Sequence, residues 1–184
     1  MPANRPFWDL MTRRNVHIDT ATELYGRLVA LARSRPFYAD LGVPDSPEGR
    51  LELLMLHVVL MLRRLGREGD AAAPVARALS ERFVTDMDDC LREMGVGDVA
   101  VARKVKKAAA ALMDRMRDYS AVLATGDNVG LAKLIAAHVT RADEPTSSSA
   151  TTIAAYTMEM EAALTAAPLD ALIAGTATLP TLTD

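Results

Sequence analysis

The run from Leu51 to Leu65, LELLMLHVVLMLRRL, constrains this chain more than any other segment, because it leaves a helix no polar side to turn toward water. Ser46-Pro47-Glu48 supplies its start: a serine N-cap, a proline at the first helical position and an acid in the first turn. Leu53, Leu54, Met55, Leu56, Val58, Val59, Leu60, Met61 and Leu62 then fill nearly every direction around the axis. Gly66 and Gly69 close the helix, with Arg63, Arg64 and Arg67 at the end where the helix dipole favours cations. A helix apolar all round must be covered by others, so the run predicts the centre of a helical bundle. Glu52, His57, Arg63 and Arg64 keep it far short of the ~20 apolar residues of a bilayer span.

The remaining segments read as helices too. Thr20 and Glu23 match a capping box that starts a first helix through Leu24, Tyr25, Leu28 and Leu31, ended by Arg35-Pro36. Pro36 to Gly42 reads as a short turn. Pro74 opens a helix through Val75, Leu79, Phe83 and Met87 to Leu91, with Gly95 as its left-handed cap. Gly97 gives the connection freedom and Asp98 caps the next helix, which carries Val101, Val105, Ala108 and Leu112 on one face and Arg103, Lys107, Asp114 and Arg117 on the other. Gly126 ends that helix, and Asp127 or Asn128 starts another through Leu131, Leu134 and Ile135 to about Thr140. No strand-like alternation of useful length appears. The fold class is all-α, a single-domain helical bundle.

The boundaries follow composition. Residues 1–18 form a mixed lead-in, 19–143 the helical core, and 144–184 a linker with accessory C-terminal helices and a loose tail. The helices after the Pro/Ser/Thr-rich stretch are expected either to dock or to stay mobile. Half the residues are hydrophobic and few are aromatic, so the core must be built from Leu, Val, Ala and Met. The net charge of −3 gives no whole-molecule field that would draw nucleic acid or an anionic membrane. No secretory h-region is visible at the N-terminus, which reads as a soluble or peripheral protein. Phe7, Trp8, Leu10 and Met11, with Arg5, Arg13 and Arg14, could lie at a membrane interface or simply pack on the bundle.

Little of the sequence points to chemistry. Cys90, the single cysteine, reads as a small core hydrophobe, and His17, His57 and His138 make no ligand spacing. His57, inside the most apolar helix, reads as a buried neutral histidine with a hydrogen-bond partner. Asp86, Asp89 and Glu93 share a helix face, with Asp88 beside them. They read as a solvated face paired with Arg82 and Arg92, or as a partner-binding patch. A metal site would need Glu-x-x-His pairs on facing helices, which the chain lacks. GVGD lacks the flanking pattern of a phosphate loop and reads as a tight helix–helix connection. Arg103, Lys104, Lys106 and Lys107 place four cations in five residues near a helix start, where the dipole gives them nothing. That strip is either a solvated face or a docking site for phosphates or an acidic partner; without base-stacking aromatics it does not read a nucleic-acid sequence.

Three stretches, taken in order, resemble the ubiquinol–cytochrome c chaperone family: SRPFYADLGVPDSPEGRLELLMLHVVLMLRRL, FVTDMDDCLREMGVGD and VARKVKK. The string DMD…LREMGVGD carries most of the resemblance, and the segment with Arg50 and His57 adds to it. Arg50, His57, Gly95, Gly97 and Asp98 are the structural residues of the shared motif. From about Glu144 onward no match is visible, so the C-terminal helices are expected to be peculiar to this protein.

The resemblance implies a non-enzymatic assembly factor, with no catalytic residue, cofactor or metal, whose client is newly made cytochrome b. Partners implied for the family are the ribosome and a small partner subunit. The expected location is the cytoplasm, peripheral on the inner membrane through the N-terminal segment. Asp86, Asp88, Asp89, Arg103, Lys104, Lys106 and Lys107 are the candidate partner-binding residues. The rival readings are a metal- or quinone-binding enzyme with Asp86, Asp89, Glu93 and His57 converging, and a peripheral lipid-binding module using Trp8.

Overall fold

The computed structural model describes residues 7–144 and 147–182, with residues 7–15 in backbone only. Its helices are α1 (Phe7–Ala32), α2 (Arg35–Ala39), α3 (Pro47–Gly66), α4 (Ala73–Glu93), α5 (Asp98–Thr125), α6 (Asn128–Ile135), α7 (Ser148–Ala166) and α8 (Leu169–Ile173). A π-helical turn, Ala136–Thr140, extends α6, and no strand occurs among the described residues. The fold is all-α.

α3 carries the apolar run. The Ser46 hydroxyl accepts the Gly49 N–H at 3.1 Å, and Pro47 occupies the first turn. Every residue from Leu53 to Met61 is buried, with α1, α4, α5, α7 and the π-turn as neighbours. Gly49 itself is required by packing. A Cβ there would stand 2.1 Å from the Pro44 carbonyl oxygen, so the chain entering α3 can press close only against glycine.

Two boundaries differ from the sequence expectation. α1 begins at Phe7, so residues 7–18 are helical and the Thr20–Glu23 capping box lies inside a helix. Extending a formed helix adds one hydrogen bond per residue fixed, whereas a new start needs a fresh nucleus, so the buried series Ala21, Leu24, Tyr25 and Leu28 recruits the residues before it. Pro36 opens the short α2 instead of lying in a turn.

The chain beyond residue 147 is part of the core. The Ser147 hydroxyl accepts the Ala150 N–H at 3.3 Å to start α7, and Ile153, Tyr156, Met160 and Leu164 are buried against α3, α6 and the π-turn. α3 and α7 run parallel, because their side-chain contacts keep a near-constant offset: His57 with Tyr156, Arg63 with Glu161, Arg64 with Leu164. Parallel packing sets two negative helix ends side by side. Arg64 lies between them, donating from Nε to the Leu164 carbonyl at 2.7 Å and from Nη2 to the Ala167 carbonyl at 3.0 Å. Arg63 and Arg67 both bond the buried Glu161 carboxylate. The three arginines thus join α3 to α7 in addition to opposing the dipole of their own helix.

Candidate docking surface

α4 and α5 form a hairpin whose turn is set by Gly95. Its φ of +75° is the left-handed region that glycine alone enters freely. The Val96 N–H bonds the Leu91 carbonyl at 3.1 Å and the Gly95 N–H bonds the Arg92 carbonyl at 2.9 Å, the paired bonds of a Schellman cap. Gly97 is extended (φ −67°, ψ 149°), a conformation open to any residue, so its glycine is not demanded by the backbone. Asp98 was expected to cap α5. It is instead the first helical residue, and its carboxylate takes the Arg92 guanidinium at 2.5 Å, while Gly97 holds the cap position.

The hairpin packs on the core along one side, through the half-buried Val84, Met87, Ala108 and Ala111, and leaves its tip and outer side to solvent. α4 buries Val75, Ala78, Leu79 and Phe83 and nothing after them; from residue 84 to residue 111 only Val101 is buried. This corrects the expectation for Cys90, which is exposed, because the helix has already left the core at that point. Its thiol is pushed up from the ordinary value by partial burial and by Asp86, Glu93 and Asp89, the opposite of nucleophile activation.

Within the hairpin the two charge clusters differ. Asp86 accepts the Tyr25 hydroxyl at 2.8 Å and lies 3.5 Å from Arg82, which also approaches Asp89 at 3.9 Å. Asp88 is held by Arg92. Burial and the Asp86 hydrogen bond both push the Tyr25 hydroxyl upward, so it donates as a neutral phenol. The acidic cluster is thus largely tied to its own helix and to α1. Arg103, Lys104, Lys106 and Lys107 are exposed and form no ion pair, with the acidic residues of α4 or any others, among the described residues. Val99, Arg103, Lys106, Ala110 and Met113 follow one another at steps of four and three residues, placing them on one outward stripe of α5. Val99 is 87% exposed and Met113 68%, with Met94 at 59% just before the turn.

The other singled-out residues are structural. His57 is buried: Nδ1 lies 2.8 Å from the Leu53 carbonyl oxygen and Nε2 2.8 Å from the Tyr156 hydroxyl. A ring that donates from Nδ1 and accepts at Nε2 is neutral, in keeping with burial lowering it to about 4. Phe37 packs edge-on against both rings. Arg50 bonds Asp45 at 2.6 Å across the entry to α3. The converging set Asp86, Asp89, Glu93 and His57 is not formed: His57 is bonded within the α3–α7 core and Asp86 to Tyr25. No group of His, Cys, Asp or Glu among the described residues is arranged to hold a metal ion. No helix among them is long and apolar enough to cross a membrane. The interface reading of Phe7, Trp8, Leu10 and Met11 with Arg5, Arg13 and Arg14 concerns side chains outside the described residues.

Sequence reasoning missed Glu161 and Tyr156. The only sequence signal was a tyrosine and a carboxylate on an otherwise Ala-rich helical segment; their partners lie about a hundred positions earlier.

The described residues form an all-α bundle whose α4–α5 hairpin carries an exposed basic strip. The ubiquinol–cytochrome c chaperone family model matches residues 39–179, and the chain belongs to that family. The match runs through α7 and α8, so the helices after Glu144 belong to the family pattern, contrary to the sequence expectation. The crystal structure of the Cbp3 homolog from Brucella abortus superposes with a TM-score of 0.82 at 32% identity, covering 95% of this chain and 97% of that one. No curated protein matches.

Proposed function

We propose that this protein is a non-enzymatic chaperone in the assembly of the ubiquinol–cytochrome c reductase complex, that its client is newly made cytochrome b, and that the α4–α5 hairpin is the docking element. Family membership supports the chaperone role. The observation that supports the surface is the outward stripe of α5, where Val99, Arg103, Lys106, Ala110 and Met113 are all exposed and the cations have no ion-pair partner among the described residues. Exposed apolar side chains flanked by cations suit a client whose apolar helices are bordered by polar loops and that must be sheltered before it is packed. Val99, Met113, Arg103, Lys104, Lys106 and Lys107 form the contact. Asp88 and Asp89 border it, while Asp86, held by Tyr25, fixes the hairpin to α1.

Deletion of the gene should deplete cytochrome b and the assembled complex while other respiratory enzymes keep their levels. Unchanged amounts of the complex would refute the role.

A further inference from the structure

A second charged feature lies away from the hairpin stripe. Where α1 passes into α2 and the chain turns into α3, an open groove of about 590 Å³ is lined by Arg33, Arg35, Tyr38, Ala39, Asp45 and Arg50. Three guanidinium groups face one carboxylate on a chain whose net charge is negative. Asp45 bonds Arg50 at 2.6 Å, and neither Arg33 nor Arg35 has an ion-pair partner among the described residues. Gathering like charges on a surface contributes nothing to stability, since even well-paired exposed ions give little.

The backbone beneath the groove is held by hydrogen bonds and packing. The Tyr38 hydroxyl donates to the Ala32 carbonyl at 2.6 Å, and the Val43 N–H donates to the Phe37 carbonyl at 3.0 Å. Phe37 and Val43 are buried, and Gly49 locks the Pro44 carbonyl against α3. The backbone that carries Arg33 and Arg35 is thus pinned to the core, whereas the hairpin cations lie along the outer side of a helix.

We infer that this groove binds a phosphate-bearing anion, with Arg33 and Arg35 as its primary ligands and Arg50, shared with Asp45, as the third. The guanidinium fork matches two phosphate oxygens at once, which gives a planar bidentate contact that lysine cannot make. Tyr38 supplies the neutral wall between the cations. The anion is either a free phosphate compound or the headgroup of an anionic phospholipid; both present the same dianionic or monoanionic oxygens. The inference does not rest on the client reading, because none of these residues lies on the hairpin.

Calorimetric titration of the full chain with inorganic pyrophosphate at low salt tests the first source, and flotation with phosphatidylcholine vesicles with or without phosphatidylglycerol tests the second. Saturable binding to either probe is expected, weakened about tenfold or more in the double variant Arg33→Gln/Arg35→Gln. Lys104→Gln/Lys107→Gln, which removes the same charge from the hairpin, should stay within about twofold of the parent, and Asp45→Asn should tighten binding by releasing Arg50. Pyrophosphate binding assigns the free anion, and phosphatidylglycerol-dependent flotation alone assigns the headgroup. Binding of neither probe, or an equal loss in the hairpin variant, overturns the inference.

Discussion

Along the α3–α7 seam, Arg63, Arg64 and Arg67 turn onto Glu161 and the last carbonyls of α7. On α5, Arg103, Lys104, Lys106 and Lys107 face outward with no ion pair among the described residues. The two sets look alike in sequence, each a short cationic run beside a helix end. They differ in what the fold brings to them: a buried carboxylate in one case and solvent in the other. A cation that closes a core interface is accounted for by stability. One left on a projecting hairpin is not, because exposed charges contribute at most about 1 kcal/mol. The contrast supports the proposed docking role of the hairpin and assigns cohesion to the seam.

The seam gives the largest expected effect. Glu161→Ala leaves Arg63 facing a buried site with no carboxylate, and removing one partner of a buried pair typically costs about 3–5 kcal/mol. Denaturant unfolding that differs from the parent by less than about 1 kcal/mol would erase the distinction between seam and hairpin.

The next effect is a pH dependence. His57 sits at about 4 in the fold against 6.5 in the unfolded chain, so the unfolded state binds the extra proton as pH falls. Its contribution is therefore complete above pH 6.5 and is lost as pH falls toward 4, amounting to up to about 3 kcal/mol. His138 is lowered too and adds with the same sign. The difference between the parent and His57→Gln isolates His57: the variant should be less stable at pH 7 and should lose less between pH 7 and pH 4. Parallel stability curves would contradict a neutral, doubly bonded ring.

Charge reversal on the hairpin should do the least to stability. Lys104→Glu/Lys107→Glu should shift stability by no more than about 0.5 kcal/mol, read from the melting temperature, while weakening association with cytochrome b. A large drop in melting temperature with association intact would make the strip structural.

Much of this arrangement was legible in the chain. The serine cap, proline and acid before α3, the left-handed glycine at 95 and the need of His57 for a partner are local signals, and local chemistry decided them. What stayed hidden depends on distant packing. The α1 start lay behind a capping box that the longer helix overrode, and Cys90 is exposed because it lies beyond Met87, the last residue of α4 packed on the core. α7 was legible as a helix, but its Ala-rich, weakly amphipathic sequence after a linker-like stretch left its docking open; it docks through Tyr156 and Glu161, whose partners lie about a hundred residues earlier. On the candidate surface, both clusters were visible as clusters, but the capture of Asp86 by Tyr25 was not, since only the α1–α4 packing brings them together.

The claim that the hairpin is the docking element is tested most directly by site-specific photocrosslinking during cytochrome b synthesis. A photoreactive side chain is placed at Val99 or Lys104 on the hairpin, or at the exposed Ala155 on α7. Adducts with cytochrome b are expected from positions 99 and 104 and few or none from 155. Adducts from 155 without adducts from 99 and 104 would contradict that claim and move the client to α7.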